Sequence, residues 1–207
     1  MKKLVLFLFA LLLISVSVAD AAPDRTGHWN VGVNVAGGIP TDDGISAGVQ
    51  VTGRADYGLN RWLALGFSGG WQGFELDSAS GTGITVNGAD LTGFPLFADF
   101  IFRVPVGDMP YEPYVIAGLG TVIWDVSDTS AFSSTSSADI STEVESSLAF
   151  KLGGGLDYFV NNNWILNFEA AYVFNDSDVT FTSSGSSATT SVELDYWTVG
   201  GGVKHHF

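Results

Sequence analysis

From residue 29 onwards, bulky apolar residues alternate with small or polar ones. In the first such run, Trp29, Val31 and Val33 fall on one face and Asn30 and Gly32 on the other. A side-chain period of two is that of a β-strand, and the chain shows almost no helical period. Eight such runs predict eight strands, at residues 29–37, 45–57, 62–74, 89–103, 113–126, 147–159, 164–174 and 192–207. Pro95 predicts a bulge or an irregular start in the fourth strand.

The connections between the predicted strands alternate in length. Those after the second, fourth and sixth strands are short, at residues 58–61, 104–112 and 160–163. Those after the third, fifth and seventh are long and polar, at residues 75–88, 127–146 and 175–191. Short turns on one side and long loops on the other are typical of a bacterial transmembrane barrel.

The two strand faces decide which surface meets lipid. One face is bulky and apolar, and the other carries mostly Gly, Ala, Ser and Asn with a few charges. An eight-stranded barrel has an interior just wide enough for side chains, so large aromatic residues from every strand would not fit there. The pattern therefore predicts an all-β fold, an eight-stranded antiparallel up-and-down transmembrane β-barrel with its apolar face towards lipid. A soluble periplasmic barrel is the alternative.

Aromatic residues gather near the predicted strand ends, where a membrane interface favours amphipathic rings. We expect both termini to be periplasmic. The periplasmic girdle then comprises Trp29, Tyr57, Trp62, Tyr158, Trp164 and Phe207, and the outer girdle comprises Trp71, Trp124, Phe174 and Trp197.

Charged residues occur on the face predicted to line the lumen. A charge enclosed there must be paired or hydrated. One hypothesis is a structural ion lattice that plugs the barrel, and the other is a charged constriction in a narrow pore. The residues concerned are Arg54, Asp56, Asp99, Arg103, Lys151, Asp157, Glu169 and Lys204.

The N-terminal segment has the features of a secretory signal peptide. Lys2 and Lys3 precede an apolar run at residues 4–14, and Ala19-Asp20-Ala21 fits the small-x-small cleavage pattern. The run is shorter than the roughly 20 residues that a spanning helix needs, which argues against a transmembrane anchor. The prediction is a signal peptide at residues 1–21 and a barrel domain at residues 22–207.

Charge and composition limit the partners. The predicted mature chain keeps six Lys/Arg and 21 Asp/Glu, a net charge of −15, because Lys2, Lys3 and Asp20 leave. Such an acidic chain repels phosphate backbones, so nucleic acid is not expected as a partner. Divalent cations at the acidic loops are a candidate partner. The chain has no cysteine, so no disulfide holds the domain.

No enzymatic site is predicted. A lipid-deacylase-like site needs a histidine and a serine near the outer leaflet, whereas His28, His205 and His206 all fall at the periplasmic end. His205 and His206 are adjacent on a strand and point in opposite directions, which argues against a metal site. The acidic pieces at residues 42–43 and 175–178 lack the spacing of a calcium loop. We therefore expect no catalytic residue, no metal and no cofactor.

Three stretches carry a family resemblance, at residues 113–120, 154–164 and 199–207. They resemble the small outer-membrane barrel superfamily that includes OmpA, OmpX, OmpW and opacity-type proteins, the porin-family outer-membrane barrels. The resemblance implies residence in the outer membrane. It also implies that Phe207, with Val203 and Val199, is the signal read by the barrel-insertion machinery, although His205 stands where an apolar residue is more usual.

Two functions remain open. The first is a largely plugged barrel with a structural or surface-interaction role through its long extracellular loops. The alternative is a narrow OmpW-like channel for small or apolar solutes, in which Phe94 and Phe97 line an inner slot. The expected partners are outer-membrane lipid, lipopolysaccharide and the insertion machinery, and the expected state is a monomer.

Overall fold

A computed structural model describes residues 23–41, 44–76, 79–81, 84–86, 89–107, 109–127, 132–134, 140–144, 146–183 and 186–207. The predicted signal peptide lies outside these ranges. No helix among the described residues is long and apolar enough to cross a membrane.

Eight long strands form the wall of a closed barrel. In chain order these wall strands are β1 (Trp29–Pro40), β2 (Ile45–Gly58), β3 (Leu63–Leu76), β6 (Ala89–Arg103), β7 (Tyr111–Ser127), β10 (Ser147–Phe159), β11 (Trp164–Ser183) and β13 (Tyr196–His206). Each pairs antiparallel with its neighbour in that order, and β1 closes the ring by pairing with β13. The predicted fold class is confirmed.

Five shorter strands lie beyond one end of the wall. They are β4 (Ala79–Gly81), β5 (Ile84–Val86), β8 (Phe132–Ser134), β9 (Ile140–Val144) and β12 (Ser186–Glu193). The strands β9 and β12 flank the extended end of β11, whereas β4, β5 and β8 form a separate three-stranded sheet. We call this end of the barrel the loop end. The opposite end, with the short connections and the residues before β1, is the turn end.

The predicted strands match the wall closely, with two differences at the loop end. The seventh predicted strand stops at residue 174, whereas β11 continues to Ser183 and pairs there with β12. The eighth was predicted to begin at residue 192, but residues 192–193 belong to β12, and residues 194–195 separate it from β13. Polar, Ser/Thr-rich strand extensions lack the apolar alternation on which the boundaries were based.

The bulky face points away from the lumen, as predicted. Outward residues such as Val33, Phe67, Leu119 and Leu148 are more than half exposed. This continuous apolar exterior is what a transmembrane barrel presents to lipid.

The interior has two layers of different character. Charged and amide side chains occupy the middle and the turn end, together with a small apolar group of Ala64, Ile101, Tyr114 and Ile116, while a larger apolar group fills the loop end. The expectation that large aromatic residues stay outside is wrong for this second layer, because apolar packing there replaces ion pairing. Its buried residues are Phe74, Leu91, Phe97, Val122, Trp124, Ala149, Val173, Leu194 and Tyr196.

The predicted irregularity at Pro95 has a different form from a bulge. The register between β3 and β6 is the same on both sides of Pro95, but the ladder has no pair at Gly70–Pro95 or Trp71–Phe94. Proline cannot donate a ladder hydrogen bond, which accounts for a local gap. The register shift in this region lies instead between β2 and β3, at residues 46–49.

Candidate functional site in the lumen

All eight ionisable residues predicted to line the lumen do lie there. Seven are buried, and the Glu169 side chain is only 11% exposed. Strand alternation explains their position, because each occupies the inward phase of its wall strand.

The first cluster lies in the middle of the lumen. Arg54 donates two hydrogen bonds to Glu169, from Nη1 to Oε2 at 2.6 Å and from Nη2 to Oε1 at 2.7 Å. Lys151 Nζ lies 2.7 Å from Asp99 Oδ1, and Ser68 donates to Asp99 Oδ2 at 2.6 Å. Arg54 Nε is 3.8 Å from Asp99, so the two pairs form one group. Bidentate arginine–carboxylate pairing fixes orientation as well as charge.

The second cluster lies nearer the turn end. Lys204 Nζ contacts both oxygens of Asp157, at 2.8 and 3.1 Å. Arg25 donates from Nη1 to Asp157 Oδ2 at 2.8 Å and from Nη2 to Glu112. Neither Arg25 nor Glu112 was predicted, because Arg25 precedes the first strand and Glu112 was assigned to a connection.

A third ion pair, between Arg103 and Asp56, lies inside the barrel next to β1. Arg103 donates to Asp56, which also accepts a hydrogen bond from Asn30 Nδ2 at 2.8 Å. Asn30 Oδ1 lies 2.9 Å from His206 Nδ1, so this pair reaches the seam between β1 and β13.

Two uncharged side chains join the first cluster to the second. Tyr114 donates from its hydroxyl to Glu169 at 2.7 Å and accepts a hydrogen bond from Asn167 Nδ2 at 2.7 Å. Asn167 Nδ2 also lies 2.8 Å from Asp157 Oδ1. The Tyr114 ring fits because Gly155 faces it, and a Cβ at Gly155 would collide with the ring. The alternation placed Asn167 inward, but neither bridging residue was identified as part of the site.

The lattice is electrically balanced. Its five cationic and five anionic side chains are Arg25, Arg54, Arg103, Lys151 and Lys204, and Asp56, Asp99, Glu112, Asp157 and Glu169. Buried charges are tolerated when they are paired and hydrogen-bonded in this way. Of the six Lys/Arg after residue 21, only Arg61 lies outside the lattice, exposed in the turn between β2 and β3.

Little free space remains between the lattice and the apolar layer. A cavity of about 30 Å³ lies among Gln50, Arg54, Phe97, Lys151 and Glu169. That volume holds only a few water molecules. In the described part of the chain, the middle of the lumen is therefore filled by side chains.

Three aromatic rings pack together in the apolar layer at the loop end. The Phe74 and Tyr196 centroids are 5.6 Å apart, and Trp124 lies 6.1 Å from Phe74 and 6.4 Å from Tyr196. Trp124 Nε1 donates to Asn175 Oδ1 at 2.7 Å. The assignment of Trp124 to the outer girdle is therefore wrong, since its side chain is inside the barrel. The fifth predicted strand carries apolar residues or glycine on both faces, so alternation alone does not fix which way Trp124 points.

The predicted slot residues separate. Phe97 is buried in the lumen, whereas Phe94 is 43% exposed on the outer wall. Two residues three positions apart cannot share one face of a regular strand, so the pairing of Phe94 with Phe97 in one slot is wrong.

The remaining predicted girdle residues have outward or partly exposed side chains. The Trp29 and Tyr57 rings are 5.2 Å apart, and Trp62 stacks on Phe102 at 6.1 Å, both at the turn end. Trp164 and Phe207 are 47% and 64% exposed, and Tyr158 is partly exposed. At the loop end Trp71, Phe174 and Trp197 are 44–47% exposed.

The residues of the predicted assembly signal lie on the outer wall. Val199, Val203 and Phe207 are exposed, and His205 shares their face. His205 packs edge-on against Trp164 with centroids 4.8 Å apart, while the adjacent His206 points into the lumen. His28 Nδ1 lies 2.7 Å from the Phe207 carbonyl oxygen. The His28 and His206 rings are 5.2 Å apart, but His205 faces outwards, so the three histidines do not converge on one point.

A groove of about 470 Å³ opens on the wall at the loop end. Its lining includes outward residues such as Val49 and Trp71 and also Phe74 and Leu91 of the apolar layer. It lies beside the register shift of β2 and β3 and the interrupted ladder of β3 and β6.

Comparison with known proteins agrees with this architecture. A family model described as the outer membrane protein beta-barrel domain matches residues 8–207. Outer membrane protein W of Vibrio cholerae is 23% identical over 93% of this chain and 95% of its own length. The crystal structure of OprG from Pseudomonas aeruginosa superposes with a TM-score of 0.69 at 14% identity, covering 88% of this chain and 97% of that one. AlkL, determined in DMPC lipid bilayers, gives a TM-score of 0.58 at 23% identity, covering 92% and 94%.

Proposed function

This chain belongs to the outer membrane protein β-barrel domain family, and we propose that it is a barrel closed to axial passage that acts through its loop end. The observation that supports closure is the lattice of five cations and five carboxylates across the lumen. Its charges are mutually neutralised, and Tyr114 and Asn167 link its clusters. An ion crossing the lumen would have to displace paired side chains rather than water.

The loop end supports a role in surface interactions. Strands extend there well beyond the charged layer, and β11 continues as a ladder with β9 and β12. The predicted loop-end connections, at residues 38–44, 75–88, 127–146 and 175–191, contain no Lys or Arg, and they carry ten Asp/Glu. A hydroxyl-rich, acidic surface suits basic partners or divalent cations. In this proposal the turn end, with its girdle, faces the periplasm and the loop end faces outwards.

Planar-bilayer recording of the purified, folded protein tests the closed lumen. We expect no reproducible unitary conductance, and heat-modifiable migration on a gel serves as the control for folding. Discrete, reproducible conductance steps would refute axial closure.

A second candidate function rests on the groove in the wall. We propose that apolar solutes enter it laterally, because it joins outward Trp71 to Phe74 and Leu91 of the apolar layer. Lateral entry avoids the charged lattice, so it is compatible with the absence of conductance in a planar bilayer.

Binding of a fluorescent alkyl-chain probe to the folded protein tests this second function. The variant Gly73→Val places methyl groups against Trp71 in the groove, where even a Cβ would come within 2.9 Å of that ring. Gly53→Val is the matched control, because a Cβ there meets no atom closer than 3.9 Å. We expect only Gly73→Val to weaken probe binding, and equal binding by both variants would argue against the groove.

A further inference from the structure

The residues that precede β1 cover the turn end of the lumen with a single buried side chain. Arg25 is 3% exposed, whereas Asp24, Thr26 and Gly27 are exposed. Burying one long cationic side chain from an otherwise exposed segment needs a specific partner.

That partner is a set of three groups on the barrel wall. The Asp157 carboxylate accepts from Arg25 Nη1 at 2.8 Å, and the Glu112 carboxylate accepts from Nη2. The Phe159 ring lies 5.0 Å from the guanidinium carbon. Two carboxylates and an aromatic face match the planar, forked and weakly hydrated guanidinium group better than an ammonium group.

The backbone around Arg25 holds the side chain over this set. Gly27 N donates to Gly58 O at 2.8 Å, Gly58 N donates to His28 O at 3.0 Å, and Thr26 forms a parallel bridge with Gly58. Gly27 has a φ of +78°, a conformation that glycine adopts without strain. A Cβ at Gly58 would collide with the Arg25 carbonyl, so the segment lies directly on the end of β2.

The electrostatics favour a cation at this position. Burial opposes the charged guanidinium, but the Asp157 and Glu112 carboxylates outweigh it and raise the pKa of Arg25 above its ordinary value. A cavity of about 130 Å³, lined by Pro23, Asp24, Arg61 and Pro105 among others, lies against Arg25 and Glu112. A small cation could reach the Glu112 carboxylate from there.

We propose that Glu112, Asp157 and Phe159 form a guanidinium-binding socket at the turn end, which the chain fills with its own Arg25. The socket binds a free guanidinium ion when Arg25 is absent. Filled by Arg25, it fastens the segment before β1 across the lumen as a cap. The role as a cap rests on the proposed closed lumen, whereas the binding of guanidinium does not.

Cysteine labelling of the folded, full chain tests the socket and the cap together. The chain has no cysteine, so Asn30→Cys introduces a unique thiol on the fully buried inner face at the turn end. We expect a water-soluble thiol reagent to react about tenfold faster when Arg25→Ala is added, because local opening controls access to buried groups. Millimolar guanidinium chloride, far below denaturing concentrations, is expected to return the rate towards that of the parent, and equal sodium chloride is not.

Two further variants keep the test decisive. Glu112→Gln, added to Arg25→Ala, removes one of the two carboxylates of the empty socket, so guanidinium should slow its labelling less than that of Arg25→Ala alone. Arg25→Lys covers the case in which Arg25→Ala does not fold, and it should label faster than the parent because an ammonium cannot donate in two fixed directions.

The outcomes separate the socket from the closed lumen. Unchanged labelling in Arg25→Ala, or in Arg25→Lys where the alanine variant does not fold, would overturn the cap. Rescue of Arg25→Ala by sodium as well as by guanidinium would overturn the socket. Conductance of the unmodified protein together with selective guanidinium rescue would refute axial closure and leave the socket standing.

Discussion

Neutralising Glu169 measures how much the lumen pairs contribute to stability. In the folded protein this carboxylate accepts two hydrogen bonds from Arg54, at 2.6 and 2.7 Å, and one from Tyr114 at 2.7 Å. Glu169→Gln keeps the shape and one acceptor, but it turns an amide towards a buried guanidinium. Arg54 then has only the Asp99 carboxylate, 3.8 Å from its Nε.

The size of the effect follows from burial. Breaking a buried ion pair by removing one partner costs about 3–5 kcal/mol, and hydrogen bonds to charged groups contribute about 1.5–3 kcal/mol each. Because the Glu169 side chain keeps 11% exposure and glutamine retains one acceptor, we expect a loss of about 3 kcal/mol. That is a factor of about 150 in the unfolding equilibrium.

Urea unfolding in lipid vesicles, followed by tryptophan fluorescence, gives the free energy of unfolding. The double variant Arg54→Met/Glu169→Gln should recover about 2 kcal/mol of the loss, because it removes the unpaired cation. Glu75→Gln, an exposed carboxylate, is the control and should leave stability unchanged. A loss below about 1 kcal/mol for Glu169→Gln, as found for exposed pairs, would mean that the lumen is hydrated and the lattice is not a plug.

Three further predictions concern other parts of the barrel. Trp124→Phe should lower the free energy of unfolding by about 1–2 kcal/mol, since it leaves the buried Asn175 oxygen without its Trp124 donor; a neutral result would place the indole in water. Gly155→Ala should destabilise the barrel, because its Cβ would meet Tyr114 and the Phe168 carbonyl, whereas Gly53→Ala should not. The midpoints of urea unfolding compare the two variants, and equal midpoints would contradict the tight packing at Gly155. Phe67→Arg at the exposed outer wall should cost about 2–4 kcal/mol in vesicles if that face lies near the bilayer midplane, and tolerance would argue against lipid contact there.

The number and order of the wall strands, and the facing of all but the strand of Trp124, were predictable because contact with lipid imposes a period of two. A bulky outward residue at every second position is a strong and repeated signal, and it correctly placed residues such as Phe67 and Arg54 on opposite faces. The same alternation predicted eight of the ionisable residues of the lattice, because a charged residue on the inward face of a wall strand must lie in the lumen.

The errors arose where that alternation weakens. On the strand of Trp124 both faces are apolar or glycine, so periodicity could not show that its ring fills the loop end. Arg25 lies outside any strand, and its role depends on the three-dimensional closeness of Glu112 and Asp157, which are 87 and 132 residues away in sequence. Tyr114 and Asn167 are uncharged, so the pairing of opposite charges does not identify them as part of the lattice.

The long sequence separation of the Arg25 contacts has a consequence for the order of assembly. The Arg25 guanidinium binds residues of β7 and β10. Both strands lie on the opposite side of the barrel from β1, at least three strands away in either direction around the wall. The guanidinium-binding site does not exist until those strands have joined the wall, and contacts that close long loops form late. Arg25 is therefore expected to be among the last residues to reach its final position, and its contacts with Glu112 and Asp157 indicate that the barrel has finished folding.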